Sequence, residues 1–301
     1  MAFPKRQVKA LDFGKLVKLR RLAQAHRMND TSSSNDQPRI YLINVGANSS
    51  HESRARSPLF VNNPQQHQSN FLYVPFYCAN KPELATKEYP ASCQSFLNPR
   101  HLDGVKRFAH VDPDWENLTY GDCCDEPRGA TLKNARVNDI FLFWGALYHN
   151  SGADWEGFTG EKGWYLFGCL RLQHKLSATS DISMLEPNDR QRALKNIHFR
   201  GEKHLPSNDF VFVGNPLSSC AFTRAVGLQV NDDNGLIYKA FTTADDIPLT
   251  RNGRPRWSSS LRSCRVVIDL AKPGHRNRAE ILRQAVKKDN NFDILTNIQG
   301  F

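Results

Sequence analysis

The chain has 301 residues and a formal net charge of +10, with 40% of its residues hydrophobic and 23% charged. That balance is too apolar for a disordered polymer, and no window approaches the roughly 18 apolar residues that a membrane-spanning helix needs. The first thirty residues lack the apolar block of a secretory signal, so a cytoplasmic protein without membrane insertion is expected, and the charge favours an anionic partner such as nucleic acid or nucleotide.

Residues 1–38 carry eight basic side chains against three acidic ones. Val8, Leu11, Leu16, Leu19 and Leu22 recur at loose helical spacing, which predicts a helix from Val8 to Ala25. The polar, proline-terminated run from Asn29 to Pro38 then reads as a linker. We therefore divide the chain into a basic extension with its linker, 1–38, and a single domain, 39–301. The extension is either an arm for an acidic surface or a solvated leader.

Arg39 to Val45 predicts a strand that breaks into the polar turn Gly46 to His51. Long loops dominate 52–135, where Phe71 to Tyr77 predicts one strand, kept to an edge by Pro75. Ile140 to Trp144 and Trp164 to Leu172 predict buried strands. The segment between them, Ala146 to Gly163, is expected as a loop covering one end of a closed or strongly curved sheet. A helix follows over 186–199 and a strand over 209–213. Asn215 as cap and Pro216 as first helical residue predict another helix to about Val226. A β-like stretch at 265–270 and a helix over 276–288 complete the order. The fold class is thus α/β (α+β), a mixed, strongly curved sheet with peripheral helices and long loops.

Seven cysteines is an odd number, and no spacing matches a zinc knuckle, so free thiols packed as small hydrophobes are expected. The adjacent pair Cys123 and Cys124 has no evident catalytic partner.

Candidate binding residues gather at two strand-to-loop junctions whose small residues leave backbone N–H groups open to phosphate or carboxylate. These are Asn44, Gly46, Asn48, Ser49 and His51 at the first, and Ser218 at the second; ordinary capping uses the same residue types. Arg56 and Ser57 follow the first junction, and a guanidinium fork suits paired phosphate oxygens. His110 and Asp112 stand two apart on an extended segment and so point the same way, offering an imidazole and a carboxylate to one proton path. Asp122 is a second carboxylate for that path, flanked by Tyr120 and Arg128, and hydrogen-bonded loop anchoring is the competing role for both aspartates. No third histidine or cysteine lies at a matching spacing, so neither a metal nor a cofactor is expected. Trp144, Tyr148 and Trp155 could stack a base; Tyr148 and Trp155, on the expected loop, are better placed than strand-borne Trp144.

In order along the chain, Arg39-Ile40-Tyr41-Leu42-Ile43-Asn44-Val45-Gly46-Ala47-Asn48-Ser49-Ser50-His51, Arg56-Ser57-Pro58-Leu59-Phe60, His110-Val111-Asp112-Pro113, Thr119-Tyr120-Gly121-Asp122, Arg128-Gly129-Ala130 and Asp139 to Trp144 form a series of blocks. The series resembles the third class of nucleotide-modification-associated domains. Phe212-Val213-Gly214-Asn215-Pro216, with Ser218 and Ala225-Val226, is similar to that family's later block. The likeness covers about 39–230 and leaves 231–301 as a C-terminal extension. It implies a bacterial or phage DNA base-modification context without supplying a reaction. Asp139 to Trp144 with Trp164 to Leu172 also resembles the paired strands of base-recognising barrels of the PUA, EVE and ASCH kind, which implies a PUA-like barrel as the alternative form of the sheet.

Three functional readings follow, in order of preference. The first is a binding module for a modified base or nucleotide, with DNA favoured as partner. The second is an enzyme on nucleotides or bases using His110 with Asp112 or Asp122. The third is an interaction protein without catalysis.

Overall fold

Strand β1 (Arg39–Asn44) buries five residues in succession, which a strand does only when both faces of its sheet are covered. The computed structural model describes residues 37–45, 55–60, 70–77, 88–101, 108–124, 129–199, 205–228 and 267–301. The expected helix from Val8 to Ala25, and with it Gly46, Asn48, Ser49, His51 and Arg128, lies outside the described residues.

Short strands β2 (Pro58–Phe60), β3 (Asn70–Phe71), β4 (Phe76–Tyr77) and β5 (Ala109–His110) follow, with helix α1 (Ala91–Gln94) between β4 and β5. Then come β6 (Thr119–Cys123), the long pair β7 (Ile140–Asn150) and β8 (Phe158–Leu176), helix α2 (Pro187–Leu194), β9 (Asp209–Gly214), β10 (Cys220–Gly227), β11 (Val267–Asp269) and helix α3 (Pro273–Asn290). Among the described residues nine strands form one mixed sheet, with the path β11-β1-β7-β8-β9-β6 and with β10, β2 and β3 attached to its sides; β4 and β5 form a separate pair.

The antiparallel hairpin of β7 and β8 organises the sheet. On the free edge of β7, β1 pairs in parallel with Ile140 to Trp144, and β2 pairs in parallel with Tyr148 to Asn150. On the free edge of β8, β10 pairs around Leu166 to Cys169 and β9 around Leu172 to Leu176. Each long strand thus carries two short partners end to end.

Period-two alternation sorts the core. Ile40 and Leu42 of β1 and Ile140, Leu142 and Trp144 of β7 face α3, where Ala279, Leu282 and Val286 recur at helical spacing and are fully buried. Tyr41, Ile43, Phe141 and Phe143 face the other way, onto Phe167, Phe212 and Tyr120. Helix α3 also mends a strand edge. The pairing of β10 with β8 shifts register between Ala221 and Val226. There the Asn290 amide accepts from Arg224 N at 2.8 Å and donates to Arg224 O at 3.1 Å, as a neighbouring strand would.

Several expectations change. The sheet is mixed, as expected, but open: its outermost strands β11 and β6 stand at opposite ends of the path and do not pair with each other, so the PUA-like barrel does not form. The expected loop Ala146 to Gly163 is mostly strand, with a tip at 151–157, and Tyr148 therefore sits on β7. The expected helix from Pro216 to Val226 is a turn followed by β10, because Asn215 caps a tight turn, accepting from Leu217 N at 2.9 Å, and the apolar residues beyond it pair with β8. No helix start therefore stands at Ser218. Phe71 to Tyr77 divides into the ends of two strands, and the helix expected over 186–199 stops at Leu194.

Candidate functional site

The local chain around His110 is pinned from three sides. His110 ends β5 opposite Phe76. Tyr73, whose ring stacks on Phe167 at 5.3 Å, donates its hydroxyl to Asp112 O at 2.8 Å. Both oxygens of Asp112 accept from Gly121 N on β6, at 2.9 and 3.0 Å. Beyond a cis Asp112–Pro113 peptide, Asp114 closes the loop, accepting from Glu116 N and Asn117 N at 3.1 Å each.

A residue from much later in the chain completes the arrangement. Past α2, Asn196 Oδ1 accepts from His198 N at 3.0 Å while its Nδ2 donates to Thr119 Oγ1 at 3.0 Å. This turn lays the His198 ring directly on Gly121, where a Cβ would come within 2.3 Å of its Cδ2. Glycine is required there because any side chain would occupy the place of the imidazole.

His198 Nδ1 donates to Asp209 Oδ2 at 3.0 Å, and its Nε2 lies 3.3 Å from Asp112 Oδ2. That second contact misses hydrogen-bond alignment, so the buried Nε2 has no hydrogen-bond partner among the described residues. His110 Nε2 stands 3.8 Å from the same Asp112 oxygen, and the two imidazoles meet edge to face with centroids 5.3 Å apart. One donor atom from each of His110, Asp112 and His198 falls within 4.8 Å of the others. Asp112 and Asp209 are both buried, whereas the His110 side chain is 27% exposed and opens the cluster to solvent.

Burial alone would depress the basicity of His198; contact with the carboxylates of Asp112 and Asp209 outweighs it and raises the imidazole to about 9. The two carboxylates thus favour the protonated form of the ring. The Cys124 thiol, by contrast, is pushed up to about 12 by burial and by the Asp122 charge, which keeps it protonated and unreactive. The described cysteines 93, 123, 124, 169 and 220 are free thiols.

Not every candidate joins this cluster. Asp122 shares a strand face with Tyr120, whose hydroxyl donates to it at 2.6 Å, while Gly121, turned the other way, meets His198. Tyr120 is buried in the aromatic core, and Trp144 packs on Trp164 with centroids 5.5 Å apart. Asn44 is buried at the end of β1, reaching Trp144 O at 3.5 Å. Ser57 Oγ accepts from Val74 N at 2.9 Å and so joins two loops. Ser218 donates its backbone N–H to Asn215 O within the turn before β10.

A second group does come together. The Arg56 guanidinium lies over Trp155, Tyr148 and Phe158 at 4.9, 5.3 and 5.6 Å from their ring centroids. Phe158 also packs in the hydrophobic cluster that takes in Ala109 and Val111, the neighbours of His110. The arginine corner and the histidine segment thus rest on one support.

A family model described as nucleotide modification associated domain 3 matches residues 39–290. The chain belongs to that family. No curated protein and no solved structure matches it. Membership in the nucleotide modification associated domain 3 family gives the chain a nucleotide-modification context, and the match runs on through β11 to the last residue of α3, well beyond residue 230. Within the matched residues lie all four members of the His110, Asp112, His198 and Asp209 constellation. His198 and Asp209 are the members that sequence reasoning missed. Their available signals were an asparagine two residues before a histidine just past a helix, and a lone acidic residue opening an apolar strand.

Proposed function

We propose that this chain is an enzyme acting on a nucleotide or a nucleic-acid base, with its chemistry at His110, Asp112 and His198. The observation that carries the reading is the pair of buried carboxylates holding one buried imidazole beside a second, solvent-facing one. Burying three ionisable groups together costs free energy that an apolar core would not incur, and such clusters gather where protons are moved. In the metal-free protein His198 is placed to store a proton at Nε2, Asp112 to receive or steer it, and His110 to exchange it with whatever enters from solvent. Asp209 is a positioning residue acting through Nδ1 of His198.

The reading departs from a pure base-stacking module because Trp144 and Tyr120 are committed to the core, leaving half-buried Trp155 as the aromatic candidate for contact, backed by the buried ring of Tyr148. Arg56, already held over both rings, would meet a phosphate beside them. The family context and the net charge support a nucleotide or nucleic acid, DNA favoured, as the partner.

The test is to incubate the purified full-length protein with nucleotide mixtures and with modified and unmodified DNA, then to follow the nucleosides by mass spectrometry. A product formed by the wild type and lost in His110→Ala, with folding intact, is the expected result. No product from any substrate, or one formed equally by His110→Ala, overturns the reading. Salt-sensitive nucleic-acid binding with no product would return the chain to the binding-module reading.

A further inference from the structure

We propose that His110, Asp112 and His198 together bind one divalent first-row transition cation. The inference rests on the same centre as the proposed function and deepens it by naming a cofactor class.

Two imidazole nitrogens and one carboxylate oxygen are a donor set suited to Fe2+ or Zn2+ rather than to the harder Mg2+ or Ca2+. The spacing is close to what such an ion demands. With metal–donor distances of roughly 2.0–2.2 Å, neighbouring donors of a tetrahedral or octahedral site stand roughly 3–3.5 Å apart. His198 Nε2 and Asp112 Oδ2 are already at 3.3 Å, His110 Nε2 stands 3.8 Å from that oxygen, and all three donors fall within 4.8 Å of one another, so binding draws the His110 ring inward. His110 is the more exposed imidazole, 27% against 12% for His198.

The surroundings of the donors matter as much as their spacing. A histidine that ligates through one ring nitrogen nearly always donates the other to a carboxylate or carbonyl, which fixes the ring and its tautomer. His198 does this, with Nδ1 on buried Asp209. Its other nitrogen, buried and without a hydrogen-bond partner among the described residues, lies 3.3 Å from the Asp112 carboxylate. Asp112 is held by Gly121 N and so is presented rather than mobile. The two carboxylates balance a divalent charge, and three protein donors leave coordination positions for water or substrate.

The experiment uses the full chain stripped with chelator and titrated with Co2+, whose visible absorption reports coordination directly. One site per chain, with bands of a nitrogen- and oxygen-ligated ion, is expected, together with competition by Zn2+ or Fe2+ and none by equimolar Mg2+. His110→Ala, the change least able to disturb the core, should weaken binding at least about tenfold, and Asp209→Asn should weaken it while leaving all three donors present. Absence of a one-to-one site, or binding unaltered in His110→Ala, overturns the inference.

The two ideas fail separately. A cation bound at this site in a protein that converts no nucleotide would leave the inference standing and remove the enzymatic reading. A chelator-treated protein that binds no cation yet turns over substrate through His110 would do the reverse.

Discussion

Gly121→Ala isolates what holds the site together. The added methyl would lie 2.3 and 2.6 Å from the Cδ2 and Cγ of His198 and 2.9 Å from Asn196 Oδ1, all closer than van der Waals contact. The backbone at Gly121 does not need a positive φ, so the penalty is steric alone. Overpacking of this kind costs about 1–3 kcal/mol, and replacing a strand glycine returns about 0.5–1 kcal/mol. The net destabilisation is about 0–2.5 kcal/mol, which lowers Tm by up to about 10 °C for a domain of this size. Calorimetry measures that shift, while nitrogen-15 NMR of the imidazoles shows whether His198 has left Asp209. The expected outcome is both a lower Tm and loss of the hydrogen-bonded Nδ1 signal. Gly274→Ala, in helix α3 where an added Cβ meets nothing within 4 Å, serves as the control: it should leave the His198 signal unchanged and Tm unchanged or slightly raised. An unshifted His198 signal in Gly121→Ala would refute the view that this glycine exists to admit the ring.

Three further outcomes follow from the packing. Asn290→Ala removes both hydrogen bonds to Arg224 and should cost about 1–3 kcal/mol, read by calorimetry, with faster amide exchange confined to the middle of β10. Leu282→Ala empties a fully buried position under β1 and should cost about 2–5 kcal/mol in denaturant unfolding. Asp189, despite burial that opposes its charge, is held below its usual pKa of 3.8 by Arg192 and His174. A depressed carboxyl stabilises above the unfolded value and stops doing so as pH falls through the folded one. Tm should therefore drop as pH is lowered from about 5 to below 3.8, and Asp189→Asn should flatten that part of the curve.

The sequence disclosed the centre of the sheet because β1 and the inner halves of β7 and β8 are covered on both sides and read as unbroken apolar runs. The outer half of β8 was hidden: Thr159 to Lys162 is polar and exposed, held extended by pairing with β7 rather than by its own composition. Asn215-Pro216 carries the same local signal for a helix start as for a turn, and only the free edge of β8 decides between them. At the site, His110 and Asp112 could be paired by their spacing alone. His198 could not, since the contact that recruits it is a gap left by Gly121 on a different strand, and a missing side chain has no periodicity.

The end-to-end seating of β1 and β2 along β7 leaves a seam. Asn44 sits opposite Trp144 and Pro58 opposite Tyr148, so the whole connection between them leaves and re-enters the sheet within one short interval of an uninterrupted splint. A segment anchored that way can be lengthened, shortened or exchanged while the hairpin beneath keeps its register.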